Sequence, residues 1–430
     1  MTEMNRRRFG GWLAAAVGAG ALAPGRLFAG RTSPAPDPCD LPAHLRGLKP
    51  MTEGVAPITP AERLARLEQA RRLMRENGIG AIVLEPGSSL YYFTGMRWGQ
   101  SERTFAAVVP AAGELAWVCP AFEEARAREL IPAGGEVRVW QEDESPFRLI
   151  AGILKDRGVT TGRVGIEENL RFFILDNLRR EAPALEYVSA DPVTAGCRMI
   201  KSPAELALMQ RAADITIAAF RATFPVLHEG MTQYDVGGQM SAALTHLGGQ
   251  EPWVLVGLGE YSAFPHGSVK PQRLREGDIV LIDAGCSFQS YQADITRTSV
   301  LGKPSERQTR VWNLERKAQD AAFAAARPGA TCESVDAAAR KVITDAGFGP
   351  GYRVPGLPHR TGHGIGLDGH EWTYLVRGNQ TKLRPGMCFS DEPTIVIYGE
   401  FGIRLEDCMH ITEDGARFFS PQSESITRPV

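Results

Sequence analysis

The chain reads as an α/β protein with two folded domains. An α/β amino-terminal domain is expected over residues 55–190. A carboxy-terminal domain is expected over residues 198–415, with helices covering a curved, mostly antiparallel sheet. Three observations predict this. The 430 residues are 43% hydrophobic and 23% charged, ordinary values for a soluble globular chain of two or three domains. Two helix starts, Thr59-Pro60-Ala61-Glu62 and Ser202-Pro203-Ala204-Glu205, mark where the domains begin. Each has a hydroxyl N-cap, Pro in the first turn and Glu three residues after the cap. Beyond each start, helical-period segments alternate with short apolar runs, the pattern of helices laid on a sheet.

Residues 1–30 form a separate unit. MTEMNRRRFGGWLAAAVGAGALAPGRLFAG fits a twin-arginine export signal, with Arg6, Arg7 and Phe9 in pattern and Asn5 in the usual Ser/Thr place. The apolar run from Trp12 to Leu22 is shorter than the ~20 residues a membrane-spanning helix needs. It is the hydrophobic region of a signal rather than part of a domain. Cleavage after Ala29 is one expectation, with Leu27 replacing the small residue of the usual site; an uncleaved signal would tether the protein. Either way the chain is expected in the periplasm, delivered folded. Residues 31–54 are rich in Pro and polar residues and read as a linker.

The first helix, starting at Pro60, carries Leu64, Leu67, Ala70 and Met74 on one stripe. GAIVLEP, YYFTG, FAAVVP and LAWVCP follow as short apolar runs separated by turn residues. Helix followed by strand then recurs over 145–166 and 171–188. After Ser202 the stripe runs Leu206, Met209, Ala213, Ile217, Phe220 and Phe224, at steps of three or four. Helices are expected over 205–224, 233–246, 306–326 and 333–346.

The formal net charge of −2 gives no electrostatic case for nucleic acid or anionic lipid. The seven cysteines show no CxxC and no zinc spacing. Their number is odd, so at least one is unpaired in a monomer; an oxidising compartment would permit a disulfide. Cys286, Cys388 and Cys408 read as small core residues.

Five residues form a candidate two-metal set: Asp283, Asp294, His363, Glu392 and Glu406. Their contexts are LIDAGCSFQSYQADITRT, TGHGIGLDGHE, SDEPTIVI and GIRLED. Oxygen ligands with one imidazole suit Mn²⁺, Fe²⁺, Co²⁺ or Zn²⁺. Four carboxylates offset most of the charge of two divalent ions, and such a pair generates a hydroxide nucleophile. Two antiparallel strands joined by a short loop would bring Asp283 and Asp294 to one face. Small residues around His363 would let the backbone crowd the metals. Asp391 should point away from Glu392 by alternation and is read as structural.

These contexts resemble the pita-bread metallopeptidases: Xaa-Pro aminopeptidases, Xaa-Pro dipeptidases, methionine aminopeptidases and creatinase. The resemblance covers residues 55–415. It implies that Asp294 and Glu406 bridge two metals, that Asp283 serves one and that His363 with Glu392 serves the other. Mn²⁺ is the first expectation, with Co²⁺, Zn²⁺ and Fe²⁺ as alternatives. It further implies that His266 and His370 stabilise the oxyanion and leaving amine, that Glu392 carries the proton, and that Arg404 orients a bridging carboxylate. His359 is read either as a contact to a substrate carboxylate or as a plain loop histidine. The implied reaction is hydrolysis of the bond before a proline in second position, by a homodimer or higher homo-oligomer. The amino-terminal domain argues against a plain methionine aminopeptidase. Creatinase resembles this fold without the metal ligands, whereas none is missing here. An amidohydrolase or lyase acting on a small osmolyte is the alternative enzyme, disfavoured in the lyase case by Gly285, which adds no carboxylate. A non-catalytic binding module is the alternative of a different class.

Overall fold

A computed structural model describes residues 42–132 and 134–430. The expected signal over 1–30 and Cys39 lie outside the described residues. Among the described residues no helix is long and apolar enough to cross a membrane. Their six cysteines are all buried and free of disulfides.

Residues 42–54, read from composition as part of a linker, are docked on the second domain. Leu45 is fully buried. The Met51 N–H donates to the Leu247 carbonyl at 2.8 Å, and Arg211 Nη1 donates to the Glu53 carbonyl at 2.7 Å. Backbone carbonyls and one apolar anchor hold this irregular segment, features that composition does not register.

The helix Pro60–Glu76 opens with a complete capping box between Thr59 and Glu62. Leu67, Ala70 and Met74 are buried, but Leu64 is 59% exposed, so the buried stripe starts one turn later than expected. The amino-terminal sheet holds β1 (Ile79–Leu84), β2 (Ala106–Pro110), β3 (Ala116–Pro120), β4 (Glu136–Trp140), β5 (Gly162–Ile166) and β6 (Leu185–Ser189). Their order is β4-β3-β2-β1-β5-β6. Helices Pro146–Asp156 and Phe172–Glu181 feed β5 and β6, as helix-then-strand units. YYFTG belongs to a short helix, Ser88–Thr94, which buries Leu90, Phe93 and Thr94 at helical spacing. It ends at Gly95, whose φ of +78° is the left-handed cap that favours glycine.

The second domain begins at the helix Pro203–Thr223, with the expected capping box between Ser202 and Glu205. Helices Gln233–His246, Glu306–Ala325 and Cys332–Asp345 follow. Its strands are β7 (Gln250–Leu258), β8 (Ile279–Phe288), β9 (Tyr291–Gln292), β10 (Ile295–Val300), β11 (Gly362–Gly364), β12 (Glu371–Leu375), β13 (Cys388–Asp391), β14 (Thr394–Ile397), β15 (Phe401–Arg404), β16 (Asp407–Ile411) and β17 (Ala416–Phe418). One group runs β10-β8-β7 with β9 on β8, a second β12-β11-β13-β16-β17, and a third pairs β14 with β15. Every one of these pairings is antiparallel. The helix Pro203–Thr223 packs on β8 and Gln233–His246 on β7, while the other two helices pack on one another. A bridge between Thr296 and Glu406 ties the first group to the strand end of the second.

The two domains meet at a polar junction. Glu371, at the start of β12, accepts from Lys201 Nζ at 2.9 Å and Arg198 Nη2 at 2.5 Å. It also accepts from the backbone N–H groups of Leu367 and Asp368.

Candidate two-metal centre

Antiparallel register builds half of the site. Asp283 lies mid-strand in β8, directly opposite Thr296 of β10. Asp294 sits just before β10, where the chain returns along β8. A Cβ added at Gly285 would stand 1.9 Å from the Ala293 carbonyl oxygen, so only glycine permits this close return. The Glu406 N–H donates to the Thr296 carbonyl at 3.2 Å, which locks the third carboxylate to the same strand. As a result, Asp283, Asp294 and Glu406 each offer an oxygen within 4.8 Å of the others.

The other half comes from β11 and the end of β13. His363 Nδ1 lies 3.0 Å from the Gly364 carbonyl, which only accepts, so Nδ1 carries the proton. The lone pair of Nε2 is thereby left facing Glu392 Oε1 at 3.2 Å and Asp294 Oδ2 at 3.7 Å. Ser390 Oγ accepts from the His363 N–H at 3.0 Å and donates to Glu392 Oε1 at 3.2 Å, coupling the two residues. His363, Glu392 and Glu406 form a second group within 4.8 Å. The flanking glycines also serve strand packing. A Cβ on Gly362 would lie 2.0 Å from the Ser390 carbonyl oxygen, and one on Gly364 would lie 2.6 Å from that of Glu371. They let strands approach one another.

Electrostatics suit divalent cations. Burial, then the charges of Asp283 and Glu392, push the Asp294 carboxyl well above the usual range. Burial, then Asp294, Glu392 and Asp283, do the same to Glu406. Burial raises Glu392 to about 7; Arg404 opposes this and Asp283 adds to it. Burial, then His370, lowers His363 to about 3, which keeps its imidazole neutral and able to ligate. Arg404 is the one cation ion-paired to these carboxylates among the described residues, reaching Asp283 and standing 3.7 Å from Glu406. Four converging carboxylates with a single guanidinium are a donor set that fits two hard or borderline divalent ions.

The remaining candidates fall around this centre. His370 is exposed, and its ring packs against that of His363 at a tilt of 37°, 3.8 Å between centroids. Its nitrogen also lies within 4.8 Å of ligand atoms on Asp294 and His363, so geometry alone admits it as a ligand. His266 is exposed on the loop before β8, near enough to lower both His359 and His370. Arg404 pairs chiefly with Asp283, a residue expected to serve one metal, and less closely with Glu406, the expected bridge. Both ring nitrogens of His359 are occupied within the protein, by the Arg360 carbonyl at 2.7 Å and Thr394 Oγ1 at 3.1 Å. Asp391 is fully buried with neither carboxyl oxygen hydrogen-bonded; burial, then Asp407, Glu315, Asp320 and Glu392, push its carboxyl well above the usual range.

Two residues at the site are invisible to ligand spacing. Thr296 Oγ1 accepts from Arg404 Nε at 2.8 Å and faces Glu406 Oε2 at 2.6 Å and Asp283 Oδ1 at 3.0 Å. Its only sequence signal is its place in ADITRT, two residues after Asp294. Arg360, in HRTGH, reaches His370.

Residues 207–413 match metallopeptidase family M24, and residues 66–200 match the creatinase/prolidase N-terminal domain. A probable dipeptidase PepE of Mycobacterium tuberculosis is 38% identical over 356 residues, 82% of this chain and 92% of its own. This chain belongs to metallopeptidase family M24. The Xaa-Pro dipeptidase of Pyrococcus furiosus is 31% identical, over 82% of this chain and 96% of its own. The crystal structure of dipeptidase PepE from Mycobacterium ulcerans superposes with a TM-score of 0.81 at 34% identity, covering 86% of this chain and 99% of that one. Family membership accounts for the creatinase-like first domain and the pita-bread second domain, and it implies divalent metal ions.

Proposed function

We propose that the protein is a two-metal peptidase that hydrolyses the Xaa-Pro bond, with dipeptides as its main substrates. The observation that carries this reading is the convergence of Asp283, Asp294, His363, Glu392 and Glu406 from separate strands, with His363 presenting a free Nε2. The relatives named dipeptidase and Xaa-Pro dipeptidase support the substrate class. Asp294 and Glu406 each share one potential ligand group with Asp283 and another with His363, which supports their reading as bridges. Two bound divalent ions would supply a hydroxide nucleophile near neutral pH and polarise the scissile carbonyl.

The chain's own residues do the rest. Glu392, buried and held by Ser390, receives the nucleophile's proton and passes it to the leaving amine. His370 and His266, both exposed, donate hydrogen bonds to the oxyanion and the leaving group. Thr296 and Arg404 hold Asp283 and Glu406 in place from behind. Mn²⁺ as the metal, a homodimeric assembly and periplasmic delivery complete the proposal; these three rest on the sequence resemblance and on Arg6-Arg7-Phe9.

The test is a peptide-length series. Gly-Pro and Ala-Pro are compared with Ala-Pro-Ala and Lys-Pro-Pro in Mn²⁺, Co²⁺ and Zn²⁺, alongside metal analysis of protein purified without chelator. Two metals per chain and cleavage before proline are expected. A chain that holds no metal, or that cleaves no Xaa-Pro bond in any of the three, sinks the proposal.

A further inference from the structure

His370 owes its place to its backbone. The ring is exposed, and among the described residues its one hydrogen-bond partner is Arg360 Nη2, 3.2 Å from Nδ1. It ends the irregular stretch 365–370 that joins β11 to β12. The very next residue, Glu371, has other surroundings: it is buried at the junction of the two domains.

The stretch is wrapped around the Glu371 carboxylate. Oε1 accepts from the N–H groups of Leu367 and Asp368 at 2.8 and 3.1 Å and from Arg198 Nη2 at 2.5 Å. Oε2 accepts from Lys201 Nζ at 2.9 Å. A Cβ at Gly366 would stand 2.7 Å from Glu371 Oε2 and 2.8 Å from Lys201 Cε, so the chain closes on this ion pair with no room for a side chain there. Asp368 is the second hold. Ser88 Oγ donates to one of its oxygens, and Arg198 Nη2 donates to the other at 2.6 Å. Ser88 begins the helix Ser88–Thr94 of the first domain, and Arg198 ends the helix Thr194–Arg198 that leads into the second. From β9, the Gln292 N–H donates to the Gly366 carbonyl at 2.8 Å. Several of these hydrogen bonds are charge-assisted, a kind roughly twice as strong as neutral ones.

We propose that Glu371 and Asp368 are positioning residues. They tie the stretch 365–370 to Ser88, Arg198 and Lys201, and so set where the His370 imidazole stands against the metal-ligand cluster. The first domain thereby acts on the reaction through the loop that ends at His370. The inference rests on the role given to His370 above. Against His363 the ring makes a tilted contact, 3.8 Å between centroids, which a small backbone shift would change. A misplacement of about 1 Å is enough to cost roughly 10²-fold in rate.

The experiment is a double-mutant cycle. On the Mn²⁺-loaded full-length protein, kcat and KM for Ala-Pro and metal content are measured for wild type, Asp368→Asn and Glu371→Gln. Each variant is also made in a His370→Ala background. Alone, each should lower kcat by roughly 10–100-fold, with KM and metal content unchanged. In the His370→Ala background neither should lower kcat further, because both act through that imidazole. A second readout needs no metal. In metal-free protein labelled at the histidine rings, the His370 NMR signal, identified by its loss in His370→Ala, should move in Asp368→Asn while that of His246 stays. Should Glu371→Gln fail to fold, Asp368→Asn decides alone, since that side chain is 40% exposed. Equal losses in the two backgrounds, lost metal, an unmoved His370 signal, or a His370→Ala variant as active as wild type overturns the inference and leaves the Xaa-Pro reading standing. A wild type that cleaves no Xaa-Pro bond overturns that reading and this inference together.

Discussion

Replacing Thr296 with Val removes one hydroxyl and almost no volume, yet it should loosen the whole metal centre. Thr296 is fully buried, so no water stands ready to take the hydroxyl's place. Its oxygen accepts from Arg404 Nε at 2.8 Å and faces Glu406 Oε2 at 2.6 Å and Asp283 Oδ1 at 3.0 Å. One substitution thus removes a neighbour shared by two expected metal ligands and the arginine that backs them, leaving Asp283 with Arg404 alone. Removing such an outer partner typically costs 10–100-fold in metal affinity, about 1.4–2.8 kcal/mol at 1.4 kcal/mol per decade. A buried polar group left without a partner costs a further ~1–3 kcal/mol of stability. The assay is Mn²⁺ titration against a competing chelator, with activity followed across the same free-metal range and a thermal melt to confirm folding. The metal dissociation constant should rise by the stated 10–100-fold, and activity should largely return at saturating Mn²⁺. Unchanged affinity with lost kcat would mean that Thr296 serves the reaction directly, and it would refute the reasoning.

Three further outcomes are expected. His370→Ala should lower kcat by roughly 10²–10³ with metal intact, the cost of an oxyanion donor, while His363→Ala should lose metal as well; equal metal loss in both would make His370 a ligand. Glu371→Gln should destabilise the junction by about 3–5 kcal/mol, because it leaves Lys201 buried without its anion and Arg198 with Asp368 alone, and a melting temperature equal to wild type would contradict this. Burial alone would raise the Glu371 carboxyl, but Lys201 and Arg198 outweigh it and hold it at about 2. Its folded value is therefore depressed below ~4.3, so its contribution is present above that pH and is lost as pH falls toward 2. A urea midpoint measured between pH 5 and 2.5 should fall more steeply in wild type than in Glu371→Gln. Finally, replacing Arg6 and Arg7 with Lys should keep the protein in the cytoplasm, and unchanged delivery to the periplasm would exclude the twin-arginine route.

Local chemistry made much of this protein legible before its fold was known. The capping boxes at Thr59 and Ser202 announced their helices because cap, proline and glutamate act within four residues. Where a signal was not local, reading failed. Leu64 fits a helical stripe yet faces solvent, since periodicity says nothing about where the sheet beneath ends. The aromatic run at 91–94 is a helix because its neighbours bury it at helical spacing. Residues 42–54 look like a connector, and they dock through backbone carbonyls that any sequence possesses.

At the site, residue types and neighbours sufficed to nominate Asp283, Asp294, His363, Glu392 and Glu406, because ligand chemistry restricts each to few amino acids. Convergence was another matter. Antiparallel register sets Asp283 against Thr296, a bridge sets Thr296 against Glu406, and Ser390 joins His363 to Glu392, across 13, 110 and 27 residues of chain. Those separations also decided what no motif states: that Arg404 chiefly grips Asp283, and that both ring nitrogens of His359 are engaged within the protein. Sequence determines which groups are available and how each short segment folds. Which groups meet, and which are left unpaired, depends on long-range packing, where one ångström separates a hydrogen bond from none.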